Sequence, residues 1–148
     1  MNSVNDPFNL QRFVDAQEGV FEGVLAELKR GRKYGHWIWF IFPQVKGLGR
    51  SSTSQFYGIV SLEEAMAYLQ HPVLGARLIQ CTELVNAVTR SNAEEIFGDI
   101  DAMKFRSSMT LFGQADRKNP IFAEALDKYF EGERDPLTME YLQNQSRD

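Results

Sequence analysis

The side chains best suited to chemistry lie in a stretch, residues 28–62, that contains no aspartate or glutamate. The chain carries 20 acidic residues among 148, yet these 35 consecutive positions hold none of them and hold six bases. A formal charge of +6 in this stretch, within a chain of net charge −4, creates a positive potential that attracts and orients anions. The six bases are Lys29, Arg30, Arg32, Lys33, Lys46 and Arg50.

These bases divide into two groups where the preceding helix is expected to end. Lys29 and Arg30 have a structural alternative, because basic residues in the last turn of a helix complement its dipole. Arg32 and Lys33 lie beyond that turn, so the dipole explains them less well. We therefore expect these last two, together with Arg50, to bind the anionic group of a ligand.

An aromatic run occupies the middle of the acid-free stretch. Trp37 and Trp39, the only tryptophans of the chain, follow His36 and precede Gln44. Planar rings and an amide beside guanidinium groups are suited to a phosphorylated, ring-bearing ligand. His36 is the only histidine of the stretch and is the candidate catalytic acid or base. Aromatic runs also build hydrophobic cores, and residues 37–42 are consistent with either a buried helix or a buried strand.

A segment rich in glycine and serine, residues 46–54, follows the aromatic run. Its backbone N–H groups and hydroxyls are able to cradle a phosphate. The segment lacks the glycine spacing and the Gly-Lys-Ser/Thr ending of a P-loop. It is equally compatible with a loop that has no binding role.

A second polar cluster lies on an expected helix, at Asp101, Lys104 and Ser108. Spacings of three and four residues place these side chains on one helix face. We take Asp101 and Lys104 as candidate catalytic residues, and the alternative is an exposed ion pair worth a few tenths of a kcal/mol. No metal site and no cofactor are predicted, since two histidines 35 residues apart and one cysteine give no ligand spacing. Cys81 falls on the apolar stripe of its helix and is predicted to be buried.

The hydrophobic pattern is helical almost throughout, with apolar residues recurring at three- and four-residue steps. Sustained period-two alternation and hairpin signals are absent from the sequence. We predict a mainly α, single domain over residues 1–148, with seven or eight short helices and at most a small strand element. The predicted helix starts are Asp6, Ser61, Pro72, Ser91, Asp99 or Asp101, Asn119 and Asp135.

Composition excludes several classes of protein. A hydrophobic content of 43% and a charged content of 24% are typical of globular proteins. The longest apolar run is far shorter than the ~20 residues that a membrane-spanning helix needs, so no membrane partner is expected. The polar N-terminus and the single cysteine favour a cytoplasmic location. A pI of about 5.2 and the lack of a known reader motif argue against a nucleic-acid partner. The sequence does not indicate an oligomeric state.

Four blocks of the sequence resemble a bacterial family of unknown function, the domain-of-unknown-function 1810 family, which is sometimes labelled "calpastatin". The resemblance implies a mostly helical fold and no established activity. Two departures are Phe21, where members usually carry Tyr, and Ala102, where a second Asp is usual. The first block begins at Asp6-Pro7-Phe8, the third at Glu64-Ala65 and the fourth at Lys104-Phe105-Arg106. The second block consists of Gly31-Arg32-Lys33, His36 through Gln44, and Gly47-Leu48-Gly49.

The layout of the last third is also similar to that of the NADAR helical proteins. The similar positions are Ser108 through Phe112, then Asn119-Pro120 and Ala125 to Gly132. That family is linked to cleavage of N-glycosidic bonds in ribose-phosphate or ADP-ribose compounds. Such cleavage passes through a cationic sugar that a nearby carboxylate can stabilise.

Two hypotheses follow from the sequence. In the first, the protein is an enzyme or sensor for a small phosphorylated, nucleotide-like or ADP-ribose-like metabolite, with N-glycosidic bond hydrolysis as one reaction. In the second, it is a non-catalytic helical interaction module whose basic aromatic patch contacts an acidic protein. A pocket that contains both aromatic and cationic side chains would favour the first hypothesis, and a flat exposed patch would favour the second.

Overall fold

The computed structural model describes residues 6–146, and this part of the chain folds into ten α-helices. The mainly α prediction is confirmed, with two more helices than the upper end of the predicted range. The additions are α3 and α4, which are only four and five residues long. The helices are α1 (Gln11–Gln17), α2 (Phe21–Lys29), α3 (Ile38–Ile41), α4 (Ser52–Phe56), α5 (Leu62–Gln70), α6 (Leu74–Ala87), α7 (Ala93–Phe97), α8 (Asp99–Ala115), α9 (Ile121–Phe130) and α10 (Pro136–Ser146).

Three of the predicted helix starts, at Ser61, Asn119 and Asp135, are formed by the expected side chains, with small differences. The Ser61 hydroxyl accepts a hydrogen bond from the Glu64 backbone N–H at 3.1 Å, which is the capping-box bond. The Glu64 carboxylate reaches back to the Val60 N–H at 2.9 Å rather than to Ser61. The Asn119 amide oxygen accepts from the Ile121 N–H at 3.1 Å at the start of α9.

Three other predicted caps are displaced or replaced. The start of α7 is capped by Asn92, whose side chain accepts from the Glu95 N–H at 2.8 Å, one residue beyond the predicted Ser91. Asp99 and Asp101 do not cap α8, because the helix follows Gly98 directly and both acids lie in its first turn. Their charge still favours that end of the helix, where the backbone N–H groups are unpaired.

The aromatic run at residues 37–42, which the sequence left open between helix and strand, contains the short helix α3 (Ile38–Ile41). Two of the four residues of this helix, Ile38 and Ile41, are buried. The small strand element is a single parallel bridge between Val45 and Ile59 within residues 6–146. It places the chain after α3 beside the chain after α4, through hydrogen bonds from Lys46 N–H to Ile59 and from Ile59 N–H to Gln44.

The longest helix, α8, lies at the centre and packs against α3, α5, α7, α9 and α10. Its residues Phe105, Met109 and Phe112 are fully buried, as their spacing predicts. Cys81 on α6 is also fully buried, and this burial raises the pKa of its thiol to about 12. Within residues 6–146, the structure contains no helix that is both long and apolar enough to cross a bilayer.

A buried ion pair that the sequence did not reveal ties the N-terminal helix to α5. The Arg12 guanidinium lies 2.8 Å from the Glu64 carboxylate, and both side chains are almost entirely buried. Arg12 also donates to the backbone oxygens of Phe8, Phe56 and Gly58. Because its donors are used inside the protein, we assign Arg12 a structural role.

Candidate functional site

The loop between α2 and α3 is organised around the carboxylate of Glu27. One oxygen, Oε1, accepts hydrogen bonds from the Tyr34 N–H at 2.7 Å, the Gly35 N–H at 3.0 Å and the Trp37 indole at 3.0 Å. Burial would raise the pKa of Glu27, but these bonds and the charge of Lys33 hold the pKa below its usual value. The loop that was expected to bind an external anion therefore binds a carboxylate of the protein itself.

Lys33 is likewise occupied within the protein. Its ammonium lies 2.6 Å from Asp101 Oδ2, donates to the Gly35 carbonyl and lies 5.1 Å from the centre of the Trp37 ring. Only 6% of its side chain is exposed. Lys33 thus connects the loop after α2 to the first turn of α8, and it has little capacity left for a ligand.

Asp101 lies between two ammonium groups. Its Oδ2 contacts Lys33, and its Oδ1 lies 3.5 Å from Lys104 Nζ, one turn farther along α8. The Lys104 ammonium also lies 5.9 Å from the centre of the Trp39 ring, within the range of a cation–π contact. The predicted pairing of Asp101 with Lys104 is present, and Lys33 joins it from a distant part of the chain.

A pocket of about 260 Å³ opens beside Lys104. It forms where α8 meets the loop after α3 and the start of α10. Lys104 is the only cation among its lining residues, and Gln44 is the second predicted site residue there. The lining residues are Gln44, Leu48, Gly49, Ile100, Met103, Lys104, Ser107, Asp135 and Leu137.

Asp135 is a charged pocket residue that the sequence did not indicate as part of a site. Its carboxylate oxygen Oδ2 accepts from the Thr138 N–H at 3.0 Å, the Thr138 hydroxyl at 2.6 Å and the Ser107 hydroxyl at 3.2 Å. Asp135 followed by Pro136 signals a helix start, which is the only role that the sequence indicates for it. The contact with Ser107, 28 residues away, has no sequence signal.

Seven of the nine predicted site residues lie outside this lining, and they include four besides Lys33, Trp39 and Asp101. His36, Arg32 and Arg50 are exposed, and the Arg32 guanidinium stacks 5.9 Å from the Tyr34 ring. Trp37 is buried, with its ring centre 6.2 Å from that of Phe42. Arg32 and Arg50, which the sequence predicts to bind an anionic group, do not line the pocket, and the cation that lines it together with Gln44 is Lys104.

The glycine- and serine-rich segment is shaped by packing. The Ser51 hydroxyl caps α4 by accepting from the Ser54 N–H at 3.1 Å, and the Ser54 hydroxyl donates to the Ser51 carbonyl at 2.9 Å. A Cβ atom at Gly49 would lie 2.6 Å from Ser54 Oγ, so only glycine fits there. The Ser51 and Ser54 hydroxyls are engaged in this turn, while Gly49 itself lines the pocket.

The remaining polar candidates have structural positions. His71 Nδ1 accepts from the N–H groups of Val73 and Leu74 at 3.1 and 3.2 Å, at the start of α6. Ser108 is fully buried, and its hydroxyl has no hydrogen-bond partner within residues 6–146. In the same part of the chain, no group of three His, Cys, Asp or Glu side chains is placed to hold a metal ion.

Comparison with known proteins assigns the family. The family described as "Protein of unknown function (DUF1810)" matches residues 7–142. The crystal structure of the conserved hypothetical protein Rv1873 from Mycobacterium tuberculosis is 53% identical, with a TM-score of 0.92 over 93% of this chain and 98% of that chain. No curated protein matches the chain. These matches do not extend to the NADAR proteins. The chain belongs to the DUF1810 family of proteins of unknown function.

Proposed function

We propose that the protein binds a small anionic, ring-bearing metabolite in the pocket beside Lys104. The observation that carries the proposal is the contrast between the two lysines of the cluster. Lys33 is closely paired with Asp101 at 2.6 Å, whereas Lys104 is 3.5 Å from the same carboxylate and lines the pocket. A charged hydrogen bond at 3.5 Å is weak, so the Lys104 ammonium retains donors for the anionic group of a ligand.

The size of the pocket limits what it can enclose. Pockets that bury a drug-sized ligand have volumes of roughly 300–1,000 Å³. A volume of about 260 Å³ therefore suits a sugar phosphate or a similar part of a nucleotide. A complete ADP-ribose would extend onto the surrounding surface.

Apolar side chains around the pocket support a ligand with a ring. Ile100 is 73% exposed, Leu137 59% and Met103 53%, and all three line the same depression. Exposed apolar groups gathered around one cation are typical of a site that a ligand covers. The base of a nucleotide-like ligand would lie on these side chains while its phosphate pairs with Lys104.

Two observations favour binding over catalysis by the residues that the sequence singled out. Asp101 has both oxygens engaged by lysines and is not among the lining residues, so it does not face a bound sugar. His36 is exposed and lies outside the lining. We therefore assign Asp101 the role of orienting Lys104. The proposal is one of ligand binding and does not include N-glycosidic bond hydrolysis.

A thermal-shift titration with ribose 5-phosphate tests the proposal. A ligand that binds only the folded protein at 100 times its Kd adds about 2.7 kcal/mol of stability, which raises the melting temperature by several degrees. We expect Lys104→Met to remove this shift and Lys118→Met, on an exposed loop, to retain it. Absence of a shift in the wild type, or equal shifts in both variants, would overturn the proposal. An exposed apolar surface for a partner protein would then be the better interpretation of Ile100, Met103 and Leu137.

A further inference from the structure

We infer that Asp135 selects the ligand, by accepting a hydrogen bond from a hydroxyl group that the ligand carries next to its anionic group. The inference rests on the proposed function and specifies the ligand class as a hydroxylated sugar phosphate, as opposed to an anion without hydroxyls.

The two oxygens of the Asp135 carboxylate have different surroundings. Three donors from Thr138 and Ser107 hold Oδ2. Oδ1 forms no hydrogen bond within residues 6–146, and it is not among the buried unpaired atoms, so solvent reaches it. Since Asp135 as a whole is only 6% exposed and lines the pocket, we place this accessible oxygen on the pocket side.

A helix cap alone does not account for this arrangement. Serine and asparagine cap a helix about as well as aspartate, because one side-chain oxygen is sufficient. A carboxylate at a site that is 6% exposed also carries a desolvation cost, and only Oδ2 is paired within residues 6–146. A ligand hydroxyl that donates to Oδ1 would offset that cost.

The charges of the pocket then define the ligand. An ionised carboxylate only accepts hydrogen bonds, and a lysine ammonium only donates them. Asp135 therefore repels a phosphate and attracts a hydroxyl, while Lys104 attracts the phosphate. With one positive and one negative side chain lining the pocket, a ligand with an anionic end and a hydroxyl end is complementary to it.

The experiment compares two probes on the wild type and on Asp135→Asn. Ribose 5-phosphate carries hydroxyls, and propyl phosphate carries the same anionic group without them. The three donors hold the amide oxygen of the new asparagine in the position of Oδ2, so its NH₂ group takes the place of Oδ1 and donates instead of accepting. The cap is retained, and Asp127→Asn, exposed on α9, is the matched control.

We expect calorimetry to give a Kd for ribose 5-phosphate at least about tenfold higher in Asp135→Asn, because the substitution removes a charged acceptor, whose hydrogen bonds are roughly twice as strong as neutral ones. The Kd for propyl phosphate should not rise, because Asp135→Asn removes a charge that repels the phosphate, and the control should leave both values unchanged. If Asp135→Asn does not fold, Asp135→Ser keeps a capping oxygen without a second one, and the same loss for ribose 5-phosphate is expected.

The outcomes separate the two proposals. Equal affinity of the wild type for both probes, or unchanged affinities in the position-135 variants, would show that Asp135 only caps α10, with anion binding at Lys104 intact. Failure of both probes to bind the wild type would overturn the proposed function and this inference with it.

Discussion

Lys33 and Asp101 form an ion pair at 2.6 Å between the loop after α2 and the first turn of α8. The pair neutralises one cation of the acid-free stretch with an acid 68 positions farther along the chain. Glu27, just before the stretch, holds the backbone of the same loop. At least one base of the stretch, Lys33, therefore holds the loop in place. The cation at the pocket is Lys104, which lies outside the stretch.

Lys33→Met should destabilise the fold. Breaking a buried ion pair typically costs 3–5 kcal/mol, but Asp101 keeps its contact with Lys104 and is 21% exposed. We expect a loss of about 2 kcal/mol in the free energy of unfolding, measured by urea denaturation. Lys29→Met, at an exposed position of α2, should change stability by less than about 0.5 kcal/mol. Equal effects of the two substitutions would contradict the structural role of Lys33.

Glu27→Gln should show a stability defect that depends on pH. The pKa of Glu27 is lower in the folded protein than its ordinary value of 4.5, so folding favours the charged carboxylate. The stabilisation is complete above about pH 4.5 and is lost as the pH falls through the folded pKa. At pH 7 we expect a loss of about 1 kcal/mol, since hydrogen bonds to a charged acceptor are the stronger ones.

The difference between wild type and Glu27→Gln should shrink when unfolding is measured at progressively lower pH below that value. Glu22→Gln, on the exposed side of the same helix, removes a charge without touching the loop and should change the free energy of unfolding by less than about 0.5 kcal/mol at pH 7. If the loss of stability in Glu27→Gln is the same from pH 7 to pH 3, the loop conformation depends on the shape of the Glu27 side chain and not on its charge.

Cys81 should react slowly with thiol reagents in the native protein. It is fully buried, and the pKa of its thiol is raised to about 12, so little of the reactive thiolate forms at pH 8. Labelling with a chromogenic disulfide should proceed over hours in buffer and within minutes in 6 M guanidinium chloride. Rapid labelling of the native protein would show that α6 opens readily.

Local sequence signals predicted the helices well, because spacing and caps act within a few residues. Ser61, Asn119 and the buried face of α8 follow this rule. Of the proposed site, the sequence indicated the Asp101–Lys104 pair, which lies within one helix turn, and Gln44, which lines the pocket. The binding of the loop by Glu27 and the meeting of Ser107 with Asp135 depend on tertiary packing, which no local pattern encodes.

The sequence assigned His36 an acid–base role that the position of the pocket does not require. His36 is exposed and lies outside the lining, so His36→Gln should change the melting temperature by no more than about 2 °C. For the same reason the Kd for ribose 5-phosphate should stay within about twofold of the wild type, whereas Lys104→Met should weaken binding at least tenfold, or about 1.4 kcal/mol. Isothermal titration of both variants against the same probe makes the comparison. A tenfold loss in His36→Gln with unchanged stability would place the functional site at the start of α3, as the acid-free stretch predicted, and would remove the main support for the pocket beside Lys104.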